Sequence, residues 1–265
     1  MWYLGTKIGL FAILYVLSFG SVAENVSYDF EQWQLKYDCE KNAFESFHYI
    51  TLAGIDNKVR SSEMQDDVAL PDDCGTKNKR SYRVDADNGT TYIRGRAMRI
   101  KNLDNNVLVQ KANLAQVPFV PMAKQMYRTG HWNSTEKIIS CWKNLGQVEV
   151  WGGVIWPKQS IMEISVTSIQ SNRPLVEHIA VPDRIWKMIK FPNGEVNAWI
   201  FPNSDKNISA DLNQYLVGPH HITDITGIDY KIDNAQVLQQ DINTKKMHES
   251  CMKDKSMMAH YTYMD

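Results

Sequence analysis

The sequence predicts an α+β protein in which a central antiparallel sheet is flanked by helices. Several short segments alternate bulky apolar and polar residues, as β-strands do. The Asn193-Gly194 pair stands between two of these segments and indicates a hairpin. Residues 133–144 place Ile138, Ile139 and Trp142 at helical spacing. The 265 residues suit one globular domain.

The N-terminal residues are predicted to be a signal peptide rather than part of the fold. Lys7 precedes the apolar run IGLFAILYVLSFG, and Ser21 and Ala23 supply the small residues of a cleavage site. The run is shorter than the roughly 20 residues that span a bilayer, which favours cleavage over an uncleaved anchor. We therefore expect a signal peptide over 1–23, a domain over 24–235, a polar tail over 236–265, and a secreted or secretory-lumen protein.

The remaining elements follow from periodicity and turn residues. Strands are predicted over 42–52, 92–100, 148–157, 164–169 and 196–203, with an ordered apolar stretch over 181–191. The polar residues 56–90 are predicted to be a long loop. Asn133, Ser134 or Thr135 is expected to cap the helix over 133–144. A type I′ turn at Asn193-Gly194 is expected to join 181–191 to 196–203. Residues 209–217 are predicted to be helical or irregular, and 222–230 to be a helix that runs into a turn.

Export bears on the cysteines and on the glycosylation motifs. The four cysteines are even in number and lack a C-x-x-C pair, which favours disulfides over a zinc site: Cys39, Cys74, Cys141 and Cys251. Three pairings are open, and we prefer Cys39–Cys74 with Cys141–Cys251; a buried free thiol at Cys141 is the alternative. In a eukaryotic host, four sequons would be exposed glycan acceptors, at Asn25, Asn88, Asn133 and Asn207.

Positive charge is concentrated locally, although the formal net charge of the whole chain is only −1. Residues 77–101 carry eight cations and two aspartates, a local sum of +6. The densest part is Tyr92 to Lys101, YIRGRAMRIK. A charge run of this kind forms either a solvated face or a polyanion-binding surface.

The order of segments from 92 to 230 resembles the DNA/RNA non-specific endonucleases, the nucleases with a ββα-metal site. HWNSTEKIISCWKN is similar to the family's helix with a Trp and a Glu four residues on. VEVWGGVIWP, VPDRIWKMI, NAWIFPN and DITGIDY are similar to four further family blocks in the same order. The resemblance implies the family's fold and phosphodiester chemistry, in which a His activates water, an Asn holds one Mg²⁺, and an Arg steadies the phosphate.

The resemblance also implies that the catalytic residues are replaced. The family's Asp-Arg-Gly-His motif falls on Ile93-Arg94-Gly95-Arg96, so Arg96 stands at the general-base position, and arginine cannot accept a proton. The magnesium-ligand position falls on Pro118, or on Phe119 if the gap shifts by one. Glu136 matches the acidic residue that contacts the metal's waters. No residue is assigned as a direct metal ligand, and Mg²⁺ is expected only if the protein is active.

Three further groups of polar residues are candidates for the same site. His131, in the sequence YRTGH, is a speculative substitute base, with a structural histidine as the favoured alternative. His220, His221 and Asp224 do not suffice for a zinc site. Lys124, Arg128 and Lys137 could add to a cationic rim.

We therefore expect a secreted nuclease-fold protein that is catalytically impaired and binds nucleic-acid phosphates through Arg94, Arg96, Arg99 and Lys101. Two alternatives stay open. One is an active but divergent metal-dependent endonuclease of DNA or RNA. The other is a module whose arginines bind carboxylates of a protein partner. The oligomeric state is left open.

Overall fold

The computed structural model describes residues 25–30, 33–51, 74, 83–98, 119–170, 173–208 and 211–232. Twelve strands run in chain order as β1 (Val26–Phe30), β2 (Trp33–Asp38), β3 (Ala43–Thr51), β4 (Arg83–Asp85), β5 (Thr91–Arg96), β6 (Phe119–Ala123), β7 (Val148–Ile155), β8 (Met162–Gln170), β9 (Arg173–Val181), β10 (Arg184–Lys190), β11 (Val196–Pro202) and β12 (Leu216–Val217). The helices are α1 (Lys124–Arg128), α2 (His131–Trp142) and α3 (Pro219–Thr226), with a 3₁₀ turn at Leu212–Tyr215. The predicted α+β class is confirmed.

Seven strands form the central sheet in the order β1-β2-β3-β7-β10-β11-β12, and every pair in it is antiparallel. The order follows from three hairpins, β1-β2, β2-β3 and β10-β11, and from the insertion of β7 between β3 and β10. The strands β1 and β2 escaped the sequence analysis, because five- and six-residue strands next to the N-terminal segment leave a short alternating pattern.

The sheet separates two apolar layers. One face packs against α2 through a core that includes Tyr49, Val150, Trp199 and Phe201. The other face packs against α3 through Trp186, Met188 and neighbouring residues. Two-sided burial explains why β7 and β10 read as nearly continuous apolar runs.

A three-stranded sheet, β4-β5-β6, and a two-stranded ribbon, β8-β9, complete the described part of the chain. The predicted loop over 56–90 is wrong at its end, because Arg83–Asp85 pairs with β5. The strand β9 was not predicted either. The ribbon packs on the Tyr92 end of the small sheet through Ile164, Val166 and Ile179.

Two local predictions require correction. The hairpin between β10 and β11 is confirmed, but its turn is not type I′, since Gly194 has φ +86° whereas Asn193 is not among the described residues with positive φ. The Gly194 N–H donates to the Phe191 carbonyl and the Phe191 N–H to that of Glu195, as in a three-residue loop with a bulge. The helix α2 begins at His131 with Gly130 at its N-cap and no side-chain cap. Asn133, Ser134 and Thr135 therefore lie inside its first turns.

The predicted Cys39–Cys74 disulfide is confirmed. Cys141 is also disulfide-bonded, which excludes the free thiol, and Cys251 lies outside the described residues. Asn25, Asn88 and Asn207 are exposed as predicted, whereas Asn133 is 6% exposed within α2. The prediction that Asn133 is an exposed glycan acceptor is therefore wrong. Residues 1–23 and 236–265 lie outside the described part of the chain, in which no helix has the length and hydropathy to cross a membrane.

Candidate nucleic-acid interface

Arg94 and Arg96 project from the same face of β5, because side chains two residues apart on a strand point the same way. The strand pairs with β6 so that Arg94 lies opposite Pro121 and Arg96 opposite Phe119. Both arginines are half-buried. The β8-β9 ribbon packs on the Tyr92 end of the small sheet. The two arginines follow Tyr92 along β5, towards the other end.

A single aromatic ring supports both guanidinium groups. The Arg94 Cζ lies 3.6 Å from the centroid of the Phe119 ring, and the Arg96 Cζ lies 5.4 Å from it. Each contact attracts the cation to the ring and restricts a long side chain. A guanidinium is permanently charged, and its N–H groups are arranged to bind carboxylate or phosphate oxygens.

Packing against Met122 explains why residue 95 is a glycine. A Cβ atom at this position would fall 2.2 Å from the Cγ of Met122 and 2.4 Å from its Sδ. The opposite face of β5 therefore lies directly on the fully buried Met122 side chain. The glycine between the arginines lets the strand approach the core, and this role is independent of any catalytic motif.

The loop after β11 fixes the strand that carries Phe119. The Asn203 side chain donates to the carbonyls of Pro121 and Pro182, both at 3.0 Å, and accepts from the Ala123 N–H at 2.8 Å. Asp205 accepts from the Thr91 N–H at 3.1 Å and from the Gln125 N–H at 2.7 Å. These two side chains position β5, β6 and the start of α1, and the sequence analysis did not single them out.

Glu136 lies in the core. It is fully buried, and the equally buried Lys187 ammonium donates to its Oε1 atom. Lys187 also donates to the Thr135 hydroxyl at 3.0 Å and lies 3.4 Å from the Trp132 ring centroid. Glu136 thus links α2 to β10. Its partner Lys187 is the last residue of the VPDRIWK segment. A lysine in an otherwise apolar strand was the sequence feature that could have indicated the pair.

His131 is also fully buried, at the start of α2. Its ring stacks on Phe201 at 4.6 Å and lies 4.4 Å from the Tyr215 ring. A general base has to reach the proton it abstracts directly or through one water. This position favours the structural histidine over the substitute base.

The side chains at the candidate surface do not fit Mg²⁺, the cofactor that the family resemblance implies. Magnesium binds carboxylate, carbonyl and water oxygens. Phe119 has no side-chain oxygen and carries two guanidinium cations on its ring. Glu136 is already paired with Lys187. Pro118, the other predicted ligand position, lies outside the described residues. Within the described ranges, no three His, Cys, Asp or Glu side chains group to hold a metal.

The other predicted residues are placed as follows. Arg99 and Lys101 lie outside the described residues, so their contribution to the arginine surface stays a prediction. Lys124 and Arg128 are the first and last residues of α1, and Arg128 is exposed. Lys137 lies on α2, which packs into the core. His220, His221 and Asp224 lie on α3, and all three are exposed.

An antiparallel sheet with the buried helix α2 on one face and the β5-β6 pair beyond it defines a nuclease fold of the ββα-metal type. The family model for DNA/RNA non-specific endonuclease matches residues 15–237. The chain belongs to the DNA/RNA non-specific endonuclease family.

The chain is similar in structure to the EndoG/EndoGI complex, which was solved to explain how EndoG is inhibited. The TM-score is 0.56 and the identity 14%, over 80% of this chain and 88% of that chain. At this identity the likeness concerns the fold. No curated protein matches significantly.

Proposed function

We propose that this nuclease-family protein is secreted, binds the phosphate backbone of nucleic acids, and is impaired in catalysis. The observation that carries the proposal is the Arg94–Phe119–Arg96 arrangement. Two guanidinium groups beside one aromatic ring form a permanently charged site that suits phosphate oxygens. Such a site grips the backbone without reading base sequence.

The same arrangement supports impaired catalysis. In the alignment by motif, Arg96 stands where the family has its general base, and its guanidinium stays protonated at physiological pH. Loss of a general base costs roughly 10²–10⁴ in rate. The poor fit of Phe119 and Glu136 to magnesium removes the family's second catalytic element, and a metal's stabilisation of phosphoryl charge is worth several kcal/mol.

Binding is tested by the salt dependence of affinity, measured by fluorescence anisotropy with a labelled DNA duplex. Two neutralised phosphates give a slope of log K against log salt of about −1.8, and Arg94→Ala or Arg96→Ala should each reduce its magnitude by about 0.9. Arg83→Ala is the matched control. Arg83 lies opposite Ile93 in the same sheet, on the other face from the arginine pair. Affinity that ignores salt, or equal losses in all three variants, would contradict the proposal.

Catalysis is tested by incubating plasmid with the purified protein in Mg²⁺ and in chelator. We expect no metal-dependent nicking. Nicking that disappears in His131→Ala would establish the active, divergent endonuclease instead. The double variant Arg96→His with Pro118→Asn should gain cleavage if the motif alignment is correct.

A partner-binding function is the remaining candidate. Stacked arginines bind carboxylates as well as phosphates, and the related EndoG was solved in complex with EndoGI. A protein that neither binds nor cleaves nucleic acid would favour this reading. Secretion is tested separately by N-terminal sequencing of protein from a secreting host, which should begin at Glu24.

A further inference from the structure

Two of the exposed glycosylation motifs meet at one end of the molecule, although Asn88 and Asn207 lie far apart in the sequence. Asn88 stands in the short loop between β4 and β5. In that loop the Gly89 N–H donates to the Ala86 carbonyl at 2.9 Å, and the Ala86 N–H donates to the Thr90 carbonyl at 3.0 Å. The exposed Asn88 is therefore presented at the tip of a closed hairpin.

The loop after β11 carries the second motif and packs against this hairpin tip. The Lys206 Cε atom lies 3.7 Å from the place that a Cβ atom on Gly89 would take. The hydroxyl oxygens of Ser204 and Thr90 lie 3.5 Å apart. Asn207 directly follows Lys206 and is exposed. The two motifs are therefore neighbours in space, and the Lys206 side chain reaches from one to the other.

The geometry at Asn88 is compatible with a substituent on its amide nitrogen. The side-chain oxygen accepts from the Thr90 N–H at 2.9 Å, which orients the amide. The nitrogen donates to the Tyr92 hydroxyl at 3.3 Å and to the Met162 sulfur at 3.9 Å. A glycan replaces one of its two hydrogens, and because a thioether is a weak acceptor, the bond to Tyr92 can be kept at little loss. Asn207 has φ +53°, a backbone conformation that asparagine tolerates.

We propose that Asn88 and Asn207 both carry N-linked glycans, which lie side by side over the β4-β5 loop and the loop after β11. The proposal rests on the secretion proposed above, in a eukaryotic host, and is independent of nucleic-acid binding. In the transfer, the asparagine nitrogen bonds to C1 of an oligosaccharide that is carried on a lipid diphosphate. The bond from C1 to the diphosphate oxygen breaks, the lipid diphosphate leaves, and one amide proton is released. Each motif supplies the hydroxyl residue that this modification requires, Thr90 in one and Ser209 in the other.

The two glycans cover the end of the small sheet at which β5 begins. Since β5 runs from Thr91 to Arg96, Arg96 lies about 17 Å further along the strand. Bulky, hydrated chains at the start of β5 exclude protein and nucleic-acid partners from the loop that contains Asp205. The arginine surface, towards the other end of the strand, stays accessible.

The proposal is tested on the full chain produced in a eukaryotic secreting host. Glycopeptide mass spectrometry should find glycans on both Asn88 and Asn207. The folded protein is then acylated with the N-hydroxysuccinimide ester of biotin, and labelling of Lys206 is measured relative to the exposed Lys158. Thr90→Val removes the Asn88 motif without changing the charge or the shape of a buried side chain. It should raise Lys206 labelling about threefold or more, because a bulky chain no longer covers the amine, and Ser209→Ala should do the same.

Two matched controls separate the glycan from other effects of the substitution. Ser27→Ala removes the motif at Asn25, which precedes the edge strand β1 of the central sheet, and should leave Lys206 labelling unchanged. Ser204→Ala removes the hydroxyl contact of Thr90 but keeps the motif, and should also leave it unchanged.

Three results would overturn the proposal: a bare Asn88 or Asn207 in protein that begins at Glu24, Lys206 labelling that Thr90→Val does not raise, or an equal rise in either control. Failure of the proposed secretion is distinguishable from these, because the chain would then keep residues 1–23 and lack every glycan.

Discussion

Removing the ammonium of Lys187 should expose the cost of a buried, unpaired carboxylate. Lys187 and Glu136 are both fully buried, and the lysine also contacts the Thr135 hydroxyl and the Trp132 ring. Breaking a buried ion pair by deleting one partner costs about 3–5 kcal/mol. For a domain of this size, Lys187→Met should lower the melting temperature by roughly 6–20 °C.

The double variant Lys187→Met with Glu136→Leu leaves no charge behind and should recover most of that loss. Urea denaturation with the disulfides intact measures the four free energies of unfolding that the double-mutant cycle requires. A cost below about 1 kcal/mol for Lys187→Met, or no recovery in the double variant, would refute the reasoning. Because the pair is fully buried, the double variant should keep its DNA affinity. A tenfold loss there would instead place Glu136 at the interface.

Four further outcomes follow from single contacts. Phe119→Leu removes the ring under both arginines and should weaken DNA binding about 2- to 30-fold in the anisotropy assay. Gly95→Ala should destabilise the protein by about 1–3 kcal/mol, and Met122→Ala in the same chain should recover part of that loss in thermal denaturation. Burial raises the pKa of Tyr230 to about 12, so its neutral form stabilises the fold below pH 10 and this stability is lost as pH rises to about 12; Tyr230→Phe should flatten that fall in alkaline urea titrations. In folded protein secreted by a eukaryotic host, mass spectrometry should find no glycan on Asn133, since a glycan there would have to occupy the core.

The sequence predicted the segments whose signal is local. The β10-β11 hairpin follows from turn residues between two apolar runs, and α2 from helical periodicity. The helix was predicted over 133–144 but runs from His131 to Trp142, because Gly130 can cap a helix as well as the polar residues that follow it. Strands of three to six residues, such as β1 and β4, leave too few alternations to register.

The candidate site was predictable by residue type but not by contact. The Arg-Gly-Arg sequence marked the correct strand, whereas the stacking of both arginines on Phe119 depends on the register with β6. The position of β6 depends on long-range hydrogen bonds of Asn203, whose side-chain oxygen accepts from the Ala123 N–H, 80 residues away in the chain. Glu136 was expected to contact a metal's waters. Its actual partner Lys187 lies 51 residues further along the chain, on a strand, so no pattern around Glu136 indicated the pair.

Asn203 and Lys187 belong to two of the blocks that resemble the family, and the side chains of both make their hydrogen bonds inside the protein. Their hydrogen bonds hold a helix and a strand to the sheet whether or not a phosphodiester is cut. Sequence similarity in such blocks therefore reflects the fold rather than the reaction. Under the proposed function, the exchange of a proton acceptor for a phosphate-binding arginine at Arg96 would leave these buried contacts unchanged, so the fold would be kept without the reaction.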